Sequence, residues 1–182
     1  TELSIFRYSQ VIRVASDCKV DFPNLKTLNM LDAAYFINYI RSHRLVNFKL
    51  VEEENSRRSN ARLFSDDNET WEKFFSTCPD LRHLYMQSFD LNMNFVDCNL
   101  NLTSLGVSGY YKRDHDEYFE AHGHYKNFRF VDQVKLLIRA QKDTLKKVSF
   151  TIAMQEDPNI LNFLLYEMKL EELIWIYDKR QA

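Results

Sequence analysis

The sequence predicts an α/β fold in which short parallel strands and connecting helices repeat as a curved solenoid of about six irregular units. The pattern Φ-x-x-Φ-x-Φ, where Φ is a large apolar residue, occurs six times, and its first positions are 20, 36, 21, 43 and 25 residues apart. Recurrence at such spacings is the signature of repeat architectures. Apolar residues make up 45% of the 182 residues, which is enough for one buried core, whereas 3 Gly and 3 Pro are too few for a turn-rich β-sandwich or barrel. A single domain over residues 1–182 is therefore expected.

Each unit is expected to contain one short strand, formed by the third to seventh positions of the pattern. Side chains alternate between two faces along a strand, so the apolar fourth and sixth positions point into a common core. The six patterns begin at Leu25, Leu45, Leu81, Leu102, Leu145 and Leu170. In this register Lys146 and Lys147 lie beside Glu171 and Glu172 of the next unit, and this pairing of opposite charges supports the alignment.

Residues 1–21 are predicted to be a degenerate first repeat or a cap. Val11, Ile12 and Val14 offer a strand for such a repeat, although the complete pattern is missing there. Terminal repeats are often atypical because one of their faces has no neighbouring repeat. Because the chain starts without methionine and moves directly into an apolar segment, we expect it to be a fragment of a longer chain.

Four segments with apolar residues at helical spacing are predicted to connect the strands, since parallel strands cannot be joined by tight turns. These predicted helices cover residues 33–42, 69–77, 130–141 and 158–168. The two long spacings correspond to insertions at about 52–68 and 109–127. Both follow the C-terminal end of a strand, so we expect them on one rim of the sheet, where long loops tend to be functional.

Two segments carry a resemblance to a known family. Residues 71–86, which include Cys78-Pro79-Asp80-Leu81, resemble the helix, Cys-Pro-x-Leu and strand of the leucine-rich repeats in F-box proteins. Residues 22–30 are similar to the same unit with Phe in place of Cys, and the looser pattern extends the resemblance over roughly residues 22–178. The resemblance implies a leucine-rich-repeat fold and substrate recognition for an SCF-type, cullin-based ubiquitin ligase, in which a separate F-box contacts the adaptor.

The family does not fix the function, because one fold serves many roles. No segment of these 182 residues resembles an F-box. Other intracellular leucine-rich repeats serve in RNA export, cytoskeletal capping and scaffolding. An RNA-export or nucleic-acid-associated module and a non-ligase scaffold are therefore the alternatives.

The outward strand positions are the predicted surface for a protein partner, which a ligase would ubiquitinate. Tyr85, beside His83 and Lys49, is the expected contact centre because tyrosine gives a large contact area and is enriched in interface hot spots. The predicted partner-binding residues are outward strand residues and two tyrosines of the second insertion: Asn29, Lys49, His83, Tyr85, Gln87, Ser108, Tyr110, Tyr111 and Lys147. The sequence makes no prediction of the oligomeric state.

Metal binding and catalysis are disfavoured by the available motifs. His115, His122 and His124 lie among carboxylates, but their spacing matches no standard metal site, so no metal or other cofactor is predicted. The sequence contains no Gly-rich phosphate loop, nucleophile elbow or His-Glu-x-x-His motif, so no enzyme is predicted. Cys78 is expected in the core rather than as a nucleophile.

Nucleic acid is a disfavoured partner, and the expected location is the cytoplasm or nucleus. Arg57, Arg58 and Arg62 would suit phosphate contacts, but the same rim carries many acidic residues and the formal net charge is −2. The 3 cysteines are an odd number without close pairing, which favours a reducing compartment. No run of 18 apolar residues occurs, so no membrane anchoring is predicted.

Overall fold

The computed structural model describes residues 1–6, 20–51, 68–87, 100–108, 134–151 and 161–175. Seven strands of these ranges form one parallel sheet: β1 (Glu2–Phe6), β3 (Thr27–Leu31), β5 (Asn47–Val51), β6 (His83–Gln87), β7 (Ser104–Ser108), β8 (Lys147–Thr151) and β9 (Glu172–Trp175). They lie in the order β1-β3-β5-β6-β7-β8-β9. Two shorter strands, β2 (Val20–Asp21) and β4 (Ile40–Arg41), pair in parallel as a second sheet. The protein is therefore α/β with a seven-stranded parallel sheet.

The strands begin where the sequence predicts them, at the third position of each pattern. β3, β5, β6, β7 and β8 also end at the predicted seventh position, and β9 is described as far as Trp175. Equivalent positions pair directly across the sheet, as Leu28 with Phe48 and Lys147 with Glu172 show. The backbone bonding that precedes each strand also repeats: the Lys146 carbonyl accepts hydrogen bonds from the amides of Glu171 and Glu172, at 2.8 and 3.1 Å. Neighbouring units are thus stacked without any shift of register.

The core lies on one face of this sheet, where the first, fourth and sixth positions of the pattern meet the helices. These positions are buried in the units that begin at Leu25, Leu45, Leu81, Leu102 and Leu145. The ring of Phe48 shows the contact with the helical layer: its centroid lies 6.3, 5.3 and 6.1 Å from those of Trp71, Phe74 and Phe75. Aromatic side chains bury large areas and dominate core energetics, so these ring contacts stabilise the packing of the helical layer on this face of the sheet.

The helical connections agree with the prediction in most of the described ranges. An α-helix covers Asn68–Ser76, and residues 134–140 are helical within the predicted 130–141. Residues 161–167 are helical within the predicted 158–168, and Phe163–Glu167 of this segment is a π-helix.

The helix predicted over residues 33–42 is wrong in type and length. The structure has a 3₁₀-helix at Ala34–Tyr39, after which β4 pairs with β2. The units that begin at Leu25 and Leu45 are only 20 residues apart, so few residues remain for the return path. A 3₁₀-helix rises about 2.0 Å per residue against about 1.5 Å for an α-helix, so it spans this path with fewer residues.

The first strand of the sheet was not expected at the place where it occurs. β1 pairs with β3, with Glu2 opposite Thr27, and Leu3 and Ile5 pack against the core as fourth and sixth positions. The first position of this unit would precede Thr1, so the complete pattern cannot be matched in the sequence. The strand predicted around Val11 to Val14 lies outside the described residues.

Two further predictions concern the loops and the membrane. The insertions at 52–68 and 109–127 lie outside the described residues, except for Asn68, where a helix begins. None of the helices in the described ranges combines the length and the apolar character that crossing a bilayer requires.

Candidate functional site

The face of the sheet opposite the core is formed by the third, fifth and seventh strand positions, and we call it the outer face. At its centre, on β5 to β8, these positions are polar or small in most cases. Lys49, His83 and Lys147 are exposed there, while Tyr85 is half-buried. The outer face therefore presents side chains from units that are far apart in the sequence but adjacent in space.

Tyr85 lies at the middle of the outer face with its ring over Gly106. The two residues pair across β6 and β7, and a Cβ atom added to Gly106 would lie 2.5 Å from Cδ2 of Tyr85. Real Cβ atoms do not approach so closely, so the ring position depends on a residue without a side chain. Glycine within a strand often marks such a close approach, and this one is explained by the ring rather than by the backbone conformation.

A cation from the other neighbouring strand lies over the same ring. Lys49, which pairs with Tyr85 across β5 and β6, holds its Nζ 5.3 Å from the ring centroid. This distance is within the range of a cation–π interaction. The Tyr85 hydroxyl donates a hydrogen bond to Oε1 of Gln87 at 3.4 Å. The ring is thus oriented from three sides by Lys49, Gly106 and Gln87.

A shallow depression of about 270 Å³ lies beside this ring. Its lining includes side chains or backbone of Lys49, His83, Tyr85, Gly106, Lys147 and Ile174. The outward residues of β7 in the lining are the small Ser104 and Gly106, so the depression is deepest there, and Ile174 of β9 adds an apolar side chain that is 42% exposed. Ligand pockets for drug-sized molecules usually measure about 300 to 1,000 Å³ and enclose the ligand, so this open and smaller depression suits a single side chain of a larger partner.

Two exposed ion pairs join the last two units of the sheet, and the residues of one pair, Lys147 and Glu172, also line the depression. Nζ of Lys147 lies 2.9 Å from Oε2 of Glu172, and Nζ of Lys146 lies 2.5 Å from Oε1 of Glu171. The hydrogen bond and charge of Glu172 raise the pKa of Lys147, and those of Lys146 lower the pKa of Glu171. The charge pairing predicted from the sequence register is confirmed. Exposed pairs of this kind add little stability, so they mainly orient the lysines.

The structure brings together four of the predicted partner-binding residues and separates others from them. Lys49, His83, Tyr85 and Lys147 all line the depression, and Gln87 bonds to the Tyr85 hydroxyl.

The remaining predicted residues lie elsewhere. Asn29 lies on β3 and uses its amide to donate to Oε1 of Glu2 at 2.7 Å, so it contributes to the outer face as a link to β1. Ser108 is only 6% exposed. Tyr110 and Tyr111 lie outside the described residues.

Sequence reasoning placed Gly106 and Ile174 at outward strand positions but did not include them among the partner-binding residues. The signal for Gly106 was available, because a glycine at the fifth position of one strand faces a tyrosine at the fifth position of the next. The signal for Ile174 was a large apolar residue at an outward position of β9. Both are informative only once the register between units is known.

Cys78 is buried in the core and does not belong to the outer face. Its Sγ donates to the carbonyl oxygens of Phe74 at 3.3 Å and of Ser42 at 3.5 Å. Burial raises the pKa of the thiol to about 11, so it stays protonated at neutral pH. The Ser42 hydroxyl in turn donates to the Leu25 carbonyl at 2.9 Å, so these polar groups link successive units behind the sheet.

The described ranges contain no group of three or more His, Cys, Asp or Glu residues placed to hold a metal ion. The sequence candidates His115, His122 and His124 lie outside those ranges.

No protein-family model, curated protein or solved structure matches this chain. Its function is therefore inferred from the fold and from the outer face.

Proposed function

We propose that the chain is a protein-binding leucine-rich-repeat module that holds a protein partner on its outer face, as a substrate receptor of an SCF-type ubiquitin ligase. The unshifted pairing of seven parallel strands supports a stacked-repeat architecture, in which each unit contacts its neighbours in the same way. Such stacks typically use their extended sheet face for binding.

The proposed binding role rests on one observation: the ring of Tyr85 is held at the centre of the sheet by Lys49 and by close packing on Gly106. Tyrosine is enriched among the residues that dominate interface energies. Because Tyr85 is already oriented by Lys49 and Gly106, little side-chain entropy is lost when a partner covers it. The exposed Ile174 extends this apolar contact on the far side of the depression.

A protein fits this surface better than nucleic acid does. The central outer face offers the two cations Lys49 and Lys147, and Lys147 is already paired with Glu172. Binding to a phosphate backbone depends on several lysine or arginine contacts, and the chain as a whole carries a formal net charge of −2. A mixed polar and aromatic surface is typical of protein interfaces.

The ligase role rests on the resemblance of the Cys78-Pro79-Asp80-Leu81 unit to the repeats of F-box proteins. A scaffold without ligase activity would use the same outer face. The two roles differ in whether the full-length protein also binds a cullin adaptor.

The binding role is tested by placing a photo-crosslinking amino acid, p-benzoylphenylalanine, at Tyr85 of the full-length protein in cells. The matched control carries it at Tyr166, a tyrosine of the helical layer that is 81% exposed. We expect defined protein adducts from position 85 that are not formed from position 166 and that are reduced by Lys49→Glu. Equal labelling from both positions would refute binding through the outer face.

The ligase role is tested on the same adducts. Co-purification of a cullin adaptor with the crosslinked partner would support a substrate receptor. Recovery of the partner without any adaptor would instead favour the scaffold.

A further inference from the structure

The charges of the outer face follow a pattern across the sheet. Lys49 on β5 and Lys147 on β8 lie on inner strands, whereas the carboxylates Glu2 and Glu172 lie on the edge strands β1 and β9. The outward residues of β3, β5, β6, β7 and β8 include no Asp or Glu. Positive charge is thus central and bounded on both sides by negative charge.

The central cations are available to a ligand. No carboxylate of the described residues pairs with Lys49, whose ammonium group instead lies over the Tyr85 ring. Lys147 pairs with Glu172, but both side chains are about half exposed, with relative accessibilities of 55% and 46%. Water already competes for such a pair, so a partner's carboxylate can bind Lys147 without a large desolvation cost.

The spacing of the two lysines defines the ligand that spans them. Lys49 lies in the same row as Tyr85, Gly106 and Ser149, so Lys147 of β8 is three strands away and two residues nearer the start of its strand. Neighbouring strands lie about 4.8 Å apart and residues rise about 3.3 Å along a strand, so three strand steps and two residues place the two Cα atoms about 16 Å apart on a diagonal. In an extended peptide, residues four apart point to the same side and span about 13 Å, and the long, flexible side chains of the two lysines can cover the remaining difference.

The depression lies between the two lysines and offers a place for a third side chain of the same peptide. In an extended peptide the residue midway between two acidic residues also points to their side. Its side chain would enter the depression of about 270 Å³ beside Tyr85 and above Gly106. An apolar side chain suits this place because the ring of Tyr85 and the side chain of Ile174 face it.

We propose that the outer face binds an extended acidic segment of the partner protein, with two carboxylates on Lys49 and Lys147 and an apolar side chain between them over Gly106. This inference rests on the proposed protein-binding function and specifies the chemistry of the partner. A short acidic segment fits between Glu2 and Glu172, whereas a long polyanion that crossed the whole face would meet carboxylates at both edge strands.

The test is a selection of random short peptides displayed on phage, performed on the full chain and in parallel on the Lys49→Glu/Lys147→Glu variant. We expect the enriched peptides to carry Asp or Glu about four residues apart with an apolar residue midway. We expect the variant not to enrich them. Circular dichroism of the variant establishes that it is folded, and Lys49→Gln provides a milder substitution of the same group.

The affinity of a labelled synthetic copy of the most enriched peptide then measures the contribution of each lysine. Fluorescence anisotropy is expected to show weakening by about tenfold or more for Lys49→Glu, because one attraction becomes a repulsion. Lys142→Glu is the matched control: this exposed lysine follows the helix at 134–140, and the substitution changes the net charge equally. We expect an unchanged affinity for this control and a lower affinity of the unmodified chain as salt is raised.

Each contrary outcome has a separate meaning. Enriched peptides that are neutral or basic and that require Tyr85 would overturn the acidic-segment inference and leave the protein-binding function intact. Failure to enrich any peptide that depends on the outer face would also overturn the inference, and the crosslinking at Tyr85 would then decide the proposed function. Retention of a random-sequence RNA pool through Lys49 and Lys147 would overturn both.

Discussion

Substitution of Gly106 by alanine tests whether the Tyr85 ring packs on the bare backbone of β7. The new Cβ would lie 2.5 Å from Cδ2, 3.2 Å from Cε2 and 3.5 Å from Cγ of that ring. The obstacle is a half-buried side chain rather than backbone, so we expect the ring to turn away and the sheet to stay intact. The cost should therefore appear as a coupling between positions 85 and 106.

Two opposing effects determine how much Gly106→Ala changes the free energy of unfolding. Inserting a carbon atom into a packed contact costs about 1 to 3 kcal/mol. Alanine is favoured over glycine within a strand by about 0.5 to 1 kcal/mol. The free energy of unfolding should therefore fall by about 0 to 2.5 kcal/mol for Gly106→Ala alone. In a Tyr85→Ala background the clash is absent, so the same substitution should raise the free energy of unfolding by about 0.5 to 1 kcal/mol.

Urea denaturation of the four proteins of this double-mutant cycle gives the coupling free energy, which we expect to be about 1 to 3 kcal/mol. The control is a second cycle with Ser149→Ala, since Ser149 occupies the same row one strand beyond Gly106. It should show no coupling to Tyr85. A Gly106 coupling below about 0.5 kcal/mol, the usual limit of additivity, would mean that the ring does not lie over Gly106.

Three further predictions concern the core and the ion pair between Lys146 and Glu171. Gln141→Met should lower the free energy of unfolding by about 1 to 3 kcal/mol in urea denaturation, because Oε1 of Gln141 accepts a 2.8 Å hydrogen bond from the buried amide of Leu102. In a variant with Cys78 as its only cysteine, the thiol should resist thiol reagents in the native state and react on unfolding. The folded pKa of Cys78, about 11, exceeds the ordinary thiol pKa of 9.0, so the stabilisation by the protonated thiol is complete below pH 9.0 and is lost as the pH rises toward 11. The fall in stability over that range should be smaller in Cys78→Ala. Finally, Lys146→Gln should raise the pKa of Glu171 toward its ordinary value in an NMR titration, because Lys146 lowers it; an unchanged pKa would contradict the ion pair.

The strands could be predicted residue by residue because their pattern has a strict period and a fixed offset. Leucine at the first position and apolar residues at the fourth and sixth positions identify the core face, and a shift of one residue would place all of them on the outer face. The pairing of Lys147 with Glu172 provided an independent test of that register, and the structure contains it. Burial thus determines the register, and the register determines which residues are neighbours on the outer face.

The connections were less predictable because helical spacing does not distinguish types of helix. Phe36 and Ile37 suit an α-helix and a 3₁₀-helix equally, and the limited length of the return path decides between them. β1 was missed for a different reason: Leu3 and Ile5 match only the last part of the pattern. A prediction from pattern alone therefore fails where tertiary constraint or a truncated motif determines the structure.

The candidate site was partly predictable for the same reason as the strands. Because the register is the same between all neighbouring strands, residues that are far apart in the sequence form straight rows across the sheet. The central row contains, in succession, Lys49, Tyr85, Gly106, Ser149 and Ile174. The identity of each neighbour follows from the pattern, but the direction in which a ring turns does not.

The ring of Tyr85 turns toward β7 because Gly106 offers space there, while Lys49 occupies the other side. A residue in such a row contacts mainly the residues on the two adjacent strands. A substitution on the outer face should therefore change binding and the stability of its immediate neighbours, while the core on the opposite face keeps the strands in place. Because the outer face and the core are on opposite faces of the sheet, outer-face residues can change without loss of the fold. We therefore expect the outer face, rather than the core, to determine which partner is bound.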